Sequence, residues 1–311
     1  MTRDPARTGA LHVRPRPWVS DYEGMWVPGR RRFVALSRRR QAFVGGMSAF
    51  VTAVGLLIGL AAGGVLGSTA APRVAGAGVV VVLVPGYGGS TAGVDVLADH
   101  IGDTGMATEV VRLPDRGTGD LVSQADVVNG YVNKALRTGA EVDVVGFSAG
   151  GVVARLWDAE YDGGVKVRRV ITLGSPLNGT RIAAAGNAAD PSACPQACQE
   201  LVPGSTLLTQ LRRIPLGTRP GWLSVWTEDD QVVRPPDSAR LPGAVNVPLQ
   251  TVCPGLVVQH GQLPVDPLVI GIVLRALGSG ALTAPGPADC GALEELGSRH
   301  DRDRKGVVPA S

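Results

Sequence analysis

Histidine and cysteine are both scarce in this 311-residue chain, with four of each, and residues 41–70 hold no charged side chain. Each shortage narrows the chemistry. Four histidines leave few ways to supply an imidazole base. No histidine neighbours the Cys194/Cys198 spacing, and Cys253 and Cys290 do not form a matching second pair. A zinc centre is therefore not expected. An even number of cysteines, all after the uncharged run, points instead to two disulfides made in an oxidising compartment. Spacing alone leaves their three possible connectivities open. The chain contains no internal repeat.

Charge is unevenly spread. Residues 1–40 carry ten arginines against Asp4, Asp21 and Glu23, a local charge of +7 in a chain of net charge +3, so the remainder carries −4. The isoelectric point of about 8.8 is thus mostly a property of the leader, and no nucleic-acid partner is expected from it. Arg38-Arg39-Arg40, an apolar centre at 49–60 and the small residues Ser68 to Ala71 form the pattern of a cleaved signal peptide. A single membrane anchor is the alternative, because the uncharged run is long enough to span a bilayer. Gly55, Gly59, Gly63 and Gly64 weaken such a span. Secretion is the expected fate, with membrane contact only through an uncleaved leader.

After the leader, apolar runs alternate with helical periodicity. Strands are expected at 79–84, 108–112, 142–146, 167–173, 222–226 and 244–249, and helices near 91–104, 121–138, 149–161 and 268–277. Alternation of this kind implies an α/β domain with a mostly parallel sheet flanked by helices. The segment from 174 to Pro220 reads as an irregular Ala- and Pro-rich insertion. The tail, Gly- and Pro-rich and then charged, is expected to pack loosely.

The segment Val142-Asp143-Val144-Val145-Gly146-Phe147-Ser148-Ala149-Gly150-Gly151 ends an apolar run in Gly-x-Ser-x-Gly and continues into a helical pattern. It reads as strand, sharp turn and helix, with Ser148 as an exposed nucleophile. Gly146 and Gly150 supply the small residues such a turn needs. The helix start favours negative charge developing beside Ser148. An earlier strand runs into Pro85-Gly86-Tyr87-Gly88-Gly89, a loop able to bring backbone amides close to a ligand. Two oxyanion donors are expected there: the amides of Tyr87 and Ala149.

A base and an acid follow by elimination. His12 lies in the leader, His100 precedes Ser148 in an expected helix, and His300 sits in the charged stretch 294–305. His260 remains. Thr227-Glu228-Asp229-Asp230-Gln231-Val232-Val233 follows an expected strand with three adjacent carboxylates. Asp230 is the favoured acid, Asp229 the runner-up and Glu228 a weaker third; any of them could orient the His260 imidazole. Tyr87, Phe147, Leu177, Leu207, Leu208 and Leu211 are candidates for an apolar pocket, although core packing is the commoner role for such residues.

Taken with Thr172-Leu173-Gly174-Ser175-Pro176-Leu177-Asn178-Gly179-Thr180 and His260-Gly261-Gln262-Leu263, these motifs make the chain resemble secreted bacterial lipases and esterases of the α/β-hydrolase superfamily. The resemblance spans about 79–277. It implies an α/β-hydrolase fold and a serine carboxylic-ester hydrolase acting on an ester or lipid substrate as a monomer, with no cofactor. Its Asp-x-x-Val step maps onto Asp230-Gln231-Val232-Val233 and favours Asp230. It also implies a Cys198–Cys253 bridge, which leaves Cys194 with Cys290. The organisation expected is a leader at 1–71, a catalytic domain at 72–277 and a tail at 278–311. An acyltransferase or polyester depolymerase would use the same residues, and a non-catalytic binding module would be expected to lose one of the three.

Overall fold

The computed structural model describes residues 78–299. The expected leader, residues 1–71, and His300 lie outside them. Six strands form one parallel sheet: β1 Val79–Val84, β2 Ala107–Val110, β3 Glu141–Phe147, β4 Arg169–Leu173, β5 Gly221–Trp226 and β6 Val245–Pro248, in the order β2-β1-β3-β4-β5-β6. Between and after them run α1 Ala92–Gly102, α2 Leu121–Leu136, α3 Ala149–Tyr161, α4 Arg181–Ala189, α5 Gln196–Glu200, α6 Thr206–Arg213, α7 Pro267–Leu277 and α8 Cys290–Gly297. The expected α/β class, a mostly parallel sheet with helical cover, is the class observed.

The sequence dictates this arrangement through strands that are apolar on both faces. In β1, Val82 and Val84 face one core while Val81 and Leu83 face the other, and all four are fully buried. Such a strand is stable only where helices cover both sides. The first core takes residues from α2, α3 and α6, including Leu121, Val128, Val153, Trp157 and Leu208. The second is built with α1 and α7, through Leu97, Ile101, Leu268, Ile272 and Val273.

Two stretches differ from the sequence reading. The insertion after β4 contains helices α4, α5 and α6. Thr180 caps α4 through the Ile182 amide at 3.3 Å, and Ser205 caps α6 through the Leu208 amide at 3.2 Å. Nor does the tail pack loosely as far as it is described: α8 lies against α7, where a Cβ on Gly271 would stand 2.0 Å from the Leu293 carbonyl oxygen. Only a glycine permits that approach.

The disulfide pairing is also corrected. Cys194 bonds Cys198 and Cys253 bonds Cys290, with Cα–Cα distances of 5.4 and 5.3 Å. The expected Cys198–Cys253 and Cys194–Cys290 bridges are ruled out by the sheet. Cys198 packs with the first core, whereas Cys253 and Cys290 pack with the second, on the opposite face.

Candidate active site

The strand order reverses direction at β1, which lies between β2 and β3. In open parallel sheets the crevice at such a switch point, beyond the carboxyl ends of the strands, is where ligands bind. Ser148 leaves β3 at this crevice, and Pro85 to Gly89 leave β1 beside it.

Ser148 has φ 53° and ψ −127°, a conformation an L-residue rarely adopts. Close packing enforces it. A Cβ on Gly146 would stand 2.6 Å from the Gly151 Cα, and one on Gly150 would stand 2.3 Å from the Val84 carbonyl oxygen. The turn therefore presses α3 onto the ends of β1 and β3. Gly86 crosses directly over the serine, since its own Cβ would fall 2.9 Å from that of Ser148.

The structure brings three of the sequence-selected side chains into one hydrogen-bonded row. His260 Nε2 lies 2.9 Å from Ser148 Oγ, and His260 Nδ1 lies 2.7 Å from Asp230 Oδ2. All three residues are buried. Asp230 follows β5, and its second oxygen, Oδ1, accepts from the amides of Val232 at 2.8 Å and Val233 at 2.7 Å. Asp229 and Glu228 are exposed. Asp229 accepts instead from Gln250 Nε2 at 3.1 Å, so neither alternative acid meets the imidazole.

Tyr87 and Ala149 line the same cleft as Ser148, a cavity of about 280 Å³ whose other walls include Ile182, Ala183, Leu201 and Val232. Ala149 is the first residue of α3, so its N–H belongs to the helix end that lacks an intrahelical acceptor. The other apolar candidates lie elsewhere. Phe147 packs beside the His260 ring, with centroids 5.1 Å apart. Leu177, Leu207, Leu208 and Leu211 belong to the first core.

Several positioning residues lie inside the motifs described above but are not singled out by the sequence. Gln231 Oε1 accepts from the His260 amide at 3.2 Å. Thr180 Oγ1 donates to the Val232 carbonyl at 2.6 Å and accepts from the Arg234 amide at 3.0 Å, tying the Asp230 loop to the start of α4. Gly174, at φ 54°, leaves room for the imidazole, because a Cβ there would sit 2.4 Å from Leu263 Cδ1 and 3.2 Å from His260 Nδ1. It directly follows β4, inside the segment 172–180.

The parallel sheet, the strained serine turn opening α3, and the two loops that close over it define an α/β-hydrolase fold. Solved structures agree with this class. The chain is similar to Aspergillus fumigatus lipase B, with 21% identity and a TM-score of 0.59 over 71% of this chain and 56% of that one. It is likewise similar to the Bacillus licheniformis lipase BlEst2 in its propeptide form, with 19% identity and a TM-score of 0.51 over 66% of this chain and 52% of that one. The chain thus spans little more than half the length of either. No protein-family model and no curated protein matches it.

Proposed function

We propose that the chain is a serine carboxylic-ester hydrolase, a lipase or esterase working through an acyl-enzyme. The observation that carries this reading is the continuous row from Ser148 Oγ through His260 to Asp230 at the mouth of an apolar cleft. In the proposed reaction His260 Nε2 takes the Ser148 proton as Oγ attacks the ester carbonyl. Asp230 keeps the proton on Nδ1, so that Nε2 is the basic nitrogen, and stabilises the imidazolium that forms. The amides of Tyr87 and Ala149 hold the oxyanion. The leaving alcohol takes the proton from His260, and water, activated by the same imidazole, then releases the acid. No step requires a metal or cofactor.

The cleft walls formed by Ile182, Ala183, Leu201 and Val232 suit an apolar acyl group. Two disulfides favour an oxidising compartment. Among the described residues no helix is long and apolar enough to cross a membrane. On the disulfides alone, we propose that the domain works outside the cytosol.

Fluorophosphonate labelling of the folded chain, read by intact mass before and after Ser148→Ala, is the direct test. One adduct, lost in the variant, is expected; no adduct would instead favour a binding module on this fold. A panel of p-nitrophenyl esters of increasing acyl length then defines the substrate range.

A further inference from the structure

A second cavity lies away from the cleft, on the first-core side of the sheet. It measures about 150 Å³, and its walls include Arg155, Arg212, Leu211, Leu216 and Leu241. An engineered protein cavity of about this size takes up benzene, so the volume suits a compact organic molecule. The lining contains two arginines and no carboxylate.

Arg155 is the unusual member. It lies on α3, two helical turns beyond Ser148, and is only 2% exposed. Burial pushes its guanidinium pKa down, with Asp158 opposing the shift. Its compensation is partial: the guanidinium carbon lies 5.9 Å from the centre of the Trp222 ring. Nη1 meets Asp158 at 3.5 Å, the outer limit for a hydrogen bond, and Nη2 donates to the Ile214 carbonyl at 2.5 Å. Nε is buried with no hydrogen-bond partner. Burial pushes the Asp158 pKa up, with Arg155 opposing the shift. A buried cation is ordinarily paired and fully hydrogen-bonded. A donor-rich, under-compensated guanidinium in a cavity with apolar walls matches a planar carboxylate attached to a small hydrocarbon.

We propose that this cavity is a second ligand site, separate from the Ser148 cleft, that takes a small apolar monocarboxylate. The carboxylate would lie between Arg155 and Arg212, and the hydrocarbon against Leu211, Leu216 and Leu241. The proposal does not rest on ester hydrolysis, because its readout is binding alone.

Benzoate is the probe, titrated calorimetrically into the full chain, with benzamide as the neutral isostere. Benzoate is expected to bind at one site and benzamide at least tenfold more weakly. Arg212→Glu, a change at an exposed rim position, should weaken benzoate at least tenfold. Leu216→Trp, which fills the cavity, should abolish binding. Ala183→Trp, which fills the Ser148 cleft, should leave it unchanged. Absence of benzoate binding would overturn the proposal. So would binding that survives Arg212→Glu and Leu216→Trp but disappears with Ala183→Trp, since the carboxylate would then occupy the cleft.

Discussion

Asp230 divides its carboxylate between His260 and its own loop: Oδ2 faces the imidazole Nδ1 at 2.7 Å, while Oδ1 is held by the amides of Val232 and Val233. In Asp230→Asn, the two backbone donors would keep the amide oxygen at the Oδ1 position and turn the –NH₂ group towards His260. The imidazole would then have to present a lone pair at Nδ1 and carry its proton on Nε2, where it could no longer accept from Ser148. Turnover of p-nitrophenyl butyrate is expected to fall by on the order of 10⁴ with the fold intact by circular dichroism. Retention of wild-type rates would remove Asp230 from the proposed mechanism.

Two glycine substitutions should have opposite effects on stability. Gly150→Ala drives a Cβ to 2.3 Å from the Val84 carbonyl oxygen, a backbone atom that cannot yield without moving β1. Soluble, cooperatively melting protein is not expected from it. Gly130→Ala, on the exposed side of α2 with open space around it, should stabilise by about 0.5–1 kcal/mol, because alanine loses less backbone entropy in a helix. Urea denaturation of the two variants decides both halves.

The two disulfides should differ in worth. Cys253–Cys290 closes a loop with a sequence separation of 37, and Cys194–Cys198 one with a separation of 4. On chain entropy alone these correspond to about 4 and about 2 kcal/mol. Cys253→Ser/Cys290→Ser should therefore lower the midpoint of denaturation more than Cys194→Ser/Cys198→Ser. Equal losses would show that native contacts, not loop closure, set their value.

Glu200 provides a pH dependence. Burial beside α2 raises its pKa to about 7, against the favourable hydrogen bonds it accepts from the Leu121 amide and Gln196. The unfolded chain loses this proton near the ordinary carboxylate value, about 4.3. Between those values the folded state binds more protons than the unfolded state, so this group's contribution to stability is full at low pH and is lost as pH rises towards 7. Melting temperatures of Glu200→Gln against wild type, taken across pH 4.5–7.5, should show a shallower decline with rising pH in the variant. Parallel curves would mean that the carboxyl titrates normally.

The legible parts of the molecule were those in which a local pattern and a tertiary demand coincide. A strand such as Val79–Val84 is apolar throughout because both its faces are covered, and α3 announces itself through the glycines that its tight turn requires. Asp230 is favoured over Asp229 from the residues and again by the family resemblance, although adjacent carboxylates differ mainly in which one the loop buries. Helices α4 to α6 were hidden by short length and by interrupting prolines, so their caps at Thr180 and Ser205 carried information that periodicity did not. The disulfide pairing was not legible at all. Chain distance says nothing about which face of a sheet a loop will choose.

The adjacency of β1 and β3 has a kinetic meaning. Val79 pairs with Glu141, so the loop above Ser148 and the serine itself become neighbours only after the intervening β2 strand and two helices have been looped out. Closing a loop of that size carries its entropic cost before any contact compensates. During refolding, fluorophosphonate reactivity at Ser148 should therefore return together with sheet closure, however early the individual helices form. Ser148 would thereby report on the strand pairing that is most distant in sequence among the described residues.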